Sequence, residues 1–396
     1  MEHKIITDLA YTYIGLVTTM TKHYVDEGVP LLFNSSIRAE GIDFSNPIYL
    51  DNEFAKDNKN RKHRTGDVIT VHTGDIGTSA IIPDSLDGSL GFATIVTRIH
   101  DKNVLLPEYL CAYLNYGGGK EQLYKYARDI RNNLNLKDFN KLIVPVPDLY
   151  RQKEIVKNVN TLNKIVCQRK QELAFFDDLI KARFVELFGD PVQNPKGYRV
   201  ESLQKLIEAG DITYHLDGNH GGDYPRSEEF VDSGVPYIGA NCIANGEIDF
   251  SLAKFLTEER AGKLRKGIAQ NEDVLFAHNA TVGPTVVLHT SEPKVILSTS
   301  LTAYRCNQQR IMPEYLATYM KSDGFVRQYS SEMKQTTRNQ VPITAQKKYL
   351  FLIPPMDEQK AFSDFVKQVD KSKVAVQKSL NETQKLFDSL MQEYFG

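Results

Sequence analysis

The chain has 396 residues, enough for two or three domains or for a repeat of one. Apolar residues make up 41 % and charged residues 25 %, which excludes wholesale disorder. Lys and Arg number 48 against 50 Asp and Glu, a balance of −2 that excludes a histone-like polycation but not a local nucleic-acid footprint.

The start, Met1-Glu-His-Lys4, lacks the basic and apolar regions of a secretory leader, and no apolar run approaches the ~18 residues of a membrane span. The four cysteines (Cys111, Cys167, Cys242, Cys306) stand far apart with no CxxC, against a disulfide scaffold or zinc ribbon and in keeping with a reducing cytoplasm.

Along residues 1–147, β-branched runs such as Asp67-Val-Ile-Thr-Val71 and Ala93-Thr-Ile-Val-Thr97 predict strands between polar turns. Leu106–Tyr116 predicts a short helix opened by Pro107, and Leu142-Ile-Val-Pro-Val-Pro147 predicts a closing strand. From about Asp148 the spacing changes. Ile155, Val159, Leu162, Val166, Leu173, Phe176, Ile180 and Leu187 step by four and three, predicting a long helix with a coiled-coil seam.

The sequence then repeats. Val25-Asp-Glu-Gly-Val-Pro30 returns as Val231-Asp-Ser-Gly-Val-Pro236, Asp67-Val68 as Asp273-Val274, His72 as His278, and Pro107-Glu-Tyr-Leu110 as Pro313-Glu-Tyr-Leu316. After a one-residue slip, Gln152-Lys153 returns as Gln359-Lys360 and Phe188-Gly189 as Phe395-Gly396. Matches that keep register over most of the copy are a duplication. The second copy predicts a strand at Pro284-Thr-Val-Val-Leu288, helices at Leu203–Ala209 and Met312–Ser322, and a closing strand at Leu350-Phe-Leu-Ile-Pro-Pro355. Its long helix carries the seam Phe362, Val366, Val369, Val376, Leu380, Phe387 and Leu390. Polar slots (Arg169, Arg183, Lys373, Thr383) face apolar residues at the equivalent slot of the other copy, so the two helices are expected to pack together. The alternative is an amphipathic helix buried on its own domain. The first copy lacks an obvious counterpart of the second copy's opening before Tyr11.

No catalytic constellation emerges: there is no GxGxxG, HExxH or GxSxG, and Gly117-Gly-Gly-Lys120 lacks phosphate-loop spacing. His215-Leu-Asp-Gly-Asn-His220 matches no standard metal spacing, so no metal and no cofactor are predicted in this chain. The remaining polar loops suit DNA, because Arg and Lys bind phosphate and guanine, Asn and Gln pair with adenine, and Ser and Thr serve either. The candidates are Lys22; the basic turn Lys59, Arg61, Lys62 and Arg64; His72 and Thr73 of the loop His72-Thr-Gly-Asp75, whose frame repeats at His278-Asn-Ala-Thr281 with a different tip; Arg128, Arg131, Asn132 and Asn133; and His220. The second copy offers His278, Asn279 and Thr281, and Lys334, Thr336, Arg338 and Asn339. Each cluster has a plainer reading as a solvated turn, and each histidine as a turn cap.

This ordered set of motifs resembles the specificity subunit of type I restriction–modification systems over essentially the whole chain. The resemblance implies an α+β fold, with two α/β target recognition domains alternating with two long helices paired as an antiparallel coiled coil in a pseudo-twofold repeat. The expected boundaries are 1–147 and 195–354 for the recognition domains, and 148–194 and 355–396 for the helices. It further implies a non-catalytic subunit in which each domain reads half of a split site on double-stranded DNA. Two modification subunits would dock on the helices and carry S-adenosylmethionine and adenine-N6 methylation. Restriction subunits would add ATP- and Mg-dependent work. A self-sufficient nuclease or methyltransferase, and a coiled-coil adaptor, are the competing classes.

Overall fold

A computed structural model describes residues 2–127, 133–333 and 339–395. The chain divides into two compact units, residues 1–171 with 376–396, and residues 172–375. Each holds one mixed α/β copy and half of each long helix.

In the first unit the main sheet is antiparallel throughout, in the order Ala10–Ile14, Thr94–Ile99, Val68–Val71, Ser79–Ile81. Val68-Ile-Thr-Val71 is buried at all four positions, as a β-branched run inside a sheet should be. The second unit repeats the order with Ile212–Asp217, Leu301–Cys306, Val274–Ala277 and Thr285–Val287. A second sheet accompanies each, of four strands in the first unit and five in the second, and in each the strand that begins at the Val-Pro of the Gly-Val-Pro turn gains a parallel neighbour: Leu90–Gly91 beside Val29–Leu32, and Val295–Leu297 beside Val235–Ile238. The turn needs glycine, because a Cβ on Gly28 would lie 2.3 Å from the Leu50 carbonyl oxygen and one on Gly234 2.4 Å from that of Leu256.

The repeated motifs have structural reasons. Tyr109 and Tyr315 of the Pro-Glu-Tyr-Leu helices are buried, and their hydroxyls donate to the Pro145 and Leu352 carbonyls of the closing strands, at 2.9 and 3.0 Å. One turn later Tyr113 and Tyr319 donate to Ile143 and Leu350, both at 2.9 Å. Gln152 and Gln359 are fully buried joints at the starts of the long helices. Gln152 accepts from the Leu106 amide at 2.9 Å and donates to Val104 and Pro147 carbonyls, both at 2.8 Å. Gln359 does the same with Met312, Arg310 and Pro354.

The opening of the first copy does have a counterpart of the second copy's strand and helix. Glu2–Ile5 pairs with Ile143–Val146 as Arg199–Ser202 pairs with Leu350–Ile353, and a short helix follows each, Ile6–Leu9 and Leu203–Glu208.

The long helices are Leu149–Phe188 and Met356–Phe395. In the first unit Ile155, Val159 and Leu162 share a core with Phe387, Met391, Tyr394 and Phe395, and Asn158 donates to the Tyr394 hydroxyl at 2.8 Å. In the second, Phe184 and Phe188 share a core with Phe362 and Val366. The start of each helix therefore meets the end of the other, an antiparallel pairing. Ile155, Val159, Leu162, Phe362, Val366, Val369 and Phe387 are buried, whereas Val166, Leu173, Phe176, Ile180, Leu187, Val376, Leu380 and Leu390 are half-buried. Two expectations are corrected. The slot given to Arg183 is filled by Phe184, which is buried, while Arg183 turns to Glu186 at 2.8 Å and lies over the Phe365 ring. Equivalent slots also do not face each other in an antiparallel pair: Lys373 is matched by the carboxylate of Asp177 at 2.7 Å rather than by an apolar residue.

Candidate nucleic-acid interface

In both units the central strand of the main sheet runs out into a polar loop and returns. In the first, Val68–Val71 leads into His72-Thr-Gly-Asp-Ile-Gly-Thr78 before Ser79–Ile81. Gly74 and Gly77 adopt φ of +90°, which favours glycine, and the Gly77 amide closes the loop on the Val71 carbonyl at 3.0 Å. Ile76 is fully buried and anchors the tip.

The loop is clasped from one side by residues 133–134. The Leu134 amide donates to the His72 carbonyl at 2.8 Å, and Thr73 bridges to Asn133. His72 Nδ1 lies 3.2 Å from both Asn133 Oδ1 and the Leu134 carbonyl, so that nitrogen carries the hydrogen. From another side comes the helix Gly118–Tyr126. Lys120 Nζ lies 3.1 Å from Asp75 Oδ1 and the Tyr124 hydroxyl donates to the same oxygen at 3.4 Å, while Thr78 donates to Oδ2 at 2.6 Å. The Thr78 hydroxyl foremost, then Lys120, hold the Asp75 carboxyl below its ordinary range and keep it ionised.

The second loop repeats this frame. Val274–Ala277 leads into His278-Asn-Ala-Thr-Val-Gly283, the Gly283 amide bonds the Ala277 carbonyl at 3.0 Å, and the Val341 amide bonds the His278 carbonyl at 2.8 Å. Asn279 bridges to Gln340, and the Ala280 amide donates to the Asn339 carbonyl at 2.9 Å.

The predicted candidates divide accordingly. His72, Thr73 and Asn133 come together at the first loop; Asn279, Thr281 and Asn339 come together at the second, with Thr281 and Asn339 exposed. His278 is not a surface residue. It is 1 % exposed, and its Nδ1 lies 2.9 Å from the Thr302 hydroxyl. Thr302 accepts from buried Gln346, whose oxygen is shared with His215 and the Tyr304 hydroxyl. Arg128, Arg131, Asn132, Lys334, Thr336 and Arg338 lie outside the described residues.

Lys59, Arg61 and Arg64 are exposed on and beside the turn Lys59–Arg61, and Lys62 is half-buried. Arg61 is committed within the fold: its guanidinium donates to the Ile14 and Gly15 carbonyls at 2.8 and 2.6 Å. Lys22 is exposed on the turn Thr21–His23, and His220 is exposed and paired with Asp217 at 2.7 Å. Among the described residues no hydrogen bond joins these basic residues to either loop, and no three His, Cys, Asp or Glu side chains are grouped to hold a metal ion. No described helix is long and apolar enough to cross a membrane.

Asp75 lies within the loop read from the sequence, but nothing there joins it to Lys120 and Tyr124. The one sequence signal of the latter two is their four-residue spacing, which puts both on one helix face.

Comparison with known proteins adds to this geometry. A family model described as type I restriction modification DNA specificity domain matches residues 31–174 and 205–384. The chain is 19 % identical over 244 residues to the type I restriction enzyme MjaVIII specificity subunit of Methanocaldococcus jannaschii, covering 60 % of this chain and 57 % of that one. To the EcoBI specificity subunit of Escherichia coli it is 26 % identical over 140 residues, covering 35 % and 29 %. To the putative MjaX specificity subunit of Methanocaldococcus jannaschii it is 20 % identical over 371 residues, covering 90 % and 83 %. The match thus spans less than two thirds of the MjaVIII and EcoBI subunits. The fold is that of a type I restriction–modification S subunit from M. genitalium, with a TM-score of 0.61 at 13 % identity over 100 % of this chain and 96 % of that one.

Proposed function

This chain belongs to the type I restriction modification DNA specificity family, and from that premise we propose that it is the sequence-reading subunit of such a system. Residues 1–147 and 195–354 are its target recognition domains, each reading one half of a split site on double-stranded DNA. Residues 148–194 and 355–396 form the helical spacer that sets the gap and docks two modification subunits. In this reading the chain is not itself an enzyme. S-adenosylmethionine, and the ATP and Mg of any restriction subunit, belong to its partners, and the assembly works in the cytoplasm.

One observation carries the reading: two loops share a frame, from the strand exit to the closing Gly77 or Gly283 amide, yet carry different tips, Thr73-Gly-Asp75 and Asn279-Ala-Thr281. A fixed frame with exchangeable tips is what two readers of unlike sequences require. Phosphate contacts would position the protein and base contacts would specify the site.

Mapping methylated adenines across the genome with and without the gene tests this. The expected result is loss of one split motif; loss of none would overturn it.

A further inference from the structure

The carboxylate of Asp75 sits at the tip of a loop read above as DNA-facing, and its side chain is 66 % exposed. A negative charge there is repelled by phosphates unless a hydrogen-bond donor meets it. A carboxylate offers about four acceptor sites. Thr78, Lys120 and Tyr124 occupy three, which leaves one for a donor from outside. Lys120 has three hydrogens and spends them on Asp75 at 3.1 Å and, weakly, on Thr78 at 3.5 Å, so one remains free to point outward. An acceptor and a donor therefore stand side by side on two different elements. The positive-φ glycines and buried Ile76 fix the loop, so little ordering is needed on binding.

The major-groove edge of a C·G pair presents the complementary arrangement. Cytosine N4 donates, and beside it guanine O6 and N7 accept. An A·T pair also sets an amino group beside a carbonyl, but the thymine offers one acceptor to a lysine instead of two and adds a methyl group. We propose that Asp75 and Lys120 read a C·G base pair as a unit, the Asp75 carboxylate accepting from cytosine N4 and the Lys120 ammonium donating to guanine O6 or N7. This rests on the reading of the chain as a DNA-specificity subunit. At the matching place the second loop carries Thr281, a neutral residue, so the requirement belongs to the first half-site alone.

The experiment is methylated-adenine mapping in cells carrying the complete system, with the wild-type chain, Asp75→Asn, Asp75→Thr or Lys120→Met. In the wild type, the half-site lost on changing the first loop contains a C·G pair. Each variant lowers the preference for that pair about tenfold to a hundredfold and leaves the other half-site unchanged. An unchanged motif in all three variants, or a first half-site with no C·G pair, would overturn the assignment. If a variant abolishes methylation, selection by the purified full chain from a randomised duplex library decides. Retention of the second half with loss of the C·G preference supports the assignment, and loss of both halves overturns it. A wild-type system with no split motif would instead overturn the reading of the whole chain, and this assignment with it.

Discussion

Arg98 grips Asp67 through two parallel bonds, Nε to Oδ1 at 2.9 Å and Nη2 to Oδ2 at 2.7 Å. Arg305 grips Asp273 in the same way, both bonds at 2.8 Å. Each aspartate begins the central strand that feeds a loop, and each also accepts a backbone amide, from Arg64 or Gln270, at 2.8 Å. The carboxylates are nearly inaccessible, 3 % and 1 % exposed, so removing one leaves a guanidinium facing an empty, poorly hydrated slot. Asp67→Ala is expected to destabilise the first unit by about 3 kcal/mol. Amide hydrogen exchange of Val68–Val71 checks this: protection falls there while Val274–Ala277 stays protected. Asp273→Ala gives the mirror result.

Only the aspartates of those pairs were legible, as a repeated Asp-Val, and Tyr109 and Gln152 as repeats of Tyr315 and Gln359, because each makes backbone bonds that both copies need; the arginines that grip the aspartates were not. The unlike surroundings were not legible. His72 and His278 occupy the same slot of the frame, yet His72 is half-buried while His278 is fully buried, against Thr302 and the buried Gln346 behind it. At the place of Gln346 the first copy has Phe139 and so cannot build that network. Heptad counting likewise gave the length of the helices but not the position of the recognition folds packed on them. It is those folds, through Tyr315 at 4.8 Å from Phe188, that draw Phe184 and Phe188 inward and leave Arg183 outside. The strand Glu2–Ile5 was hidden because its offset from Arg199–Ser202 differs from that of the rest of the repeat. The partners of Asp75 come from a helix over forty residues away, which no local pattern can announce.

Buried histidines set an acid limit to the fold. Burial holds His63 at about 4 and His215 at about 4, against an ordinary value of 6.5. Below 6.5 the unfolded chain binds protons that the folded chain refuses. Stability therefore falls as pH drops from 6.5 towards 4, by up to about 3 kcal/mol for each histidine. Denaturant unfolding at pH 7.5 and at pH 4.5 should show this loss. His63→Gln should flatten the pH dependence of protection in the first unit only, and His215→Gln should reduce it in the second only, where burial also holds His278 below its ordinary value.

The helix pair is held hardest at its ends. Phe188 is fully buried against Tyr315 at 4.8 Å, Phe184 at 5.0 Å and Phe362 at 5.5 Å, whereas Leu173 is half-buried. Phe188→Ala should cost about 3–5 kcal/mol through the cavity it leaves. Leu173→Asp should cost less, about 1–2 kcal/mol, because water reaches its position. Helical content followed through urea titration ranks the two. A larger loss from Leu173→Asp would place the main seam at mid-helix.

The basic turn separates two exposed charges, Lys59 and Arg64, from one that holds the fold, Arg61. Lys59 and Arg64 are exposed, and neither side chain is tied down by a described hydrogen bond. If they face phosphate, Lys59→Ala and Arg64→Ala each weaken DNA binding uniformly across sequences and reduce the slope of log K against log salt by about 1. Arg61 differs, because its guanidinium bonds the Ile14 and Gly15 carbonyls where the edge strand leaves the sheet. Arg61→Ala should therefore lower the unfolding midpoint by the equivalent of about 1–3 kcal/mol, the cost of charge-assisted bonds lost to two carbonyls. The salt slope of the protein that remains folded should change little. Measuring both quantities for all three variants is decisive, since a fall in salt slope without loss of stability at Arg61 would return that residue to the DNA surface.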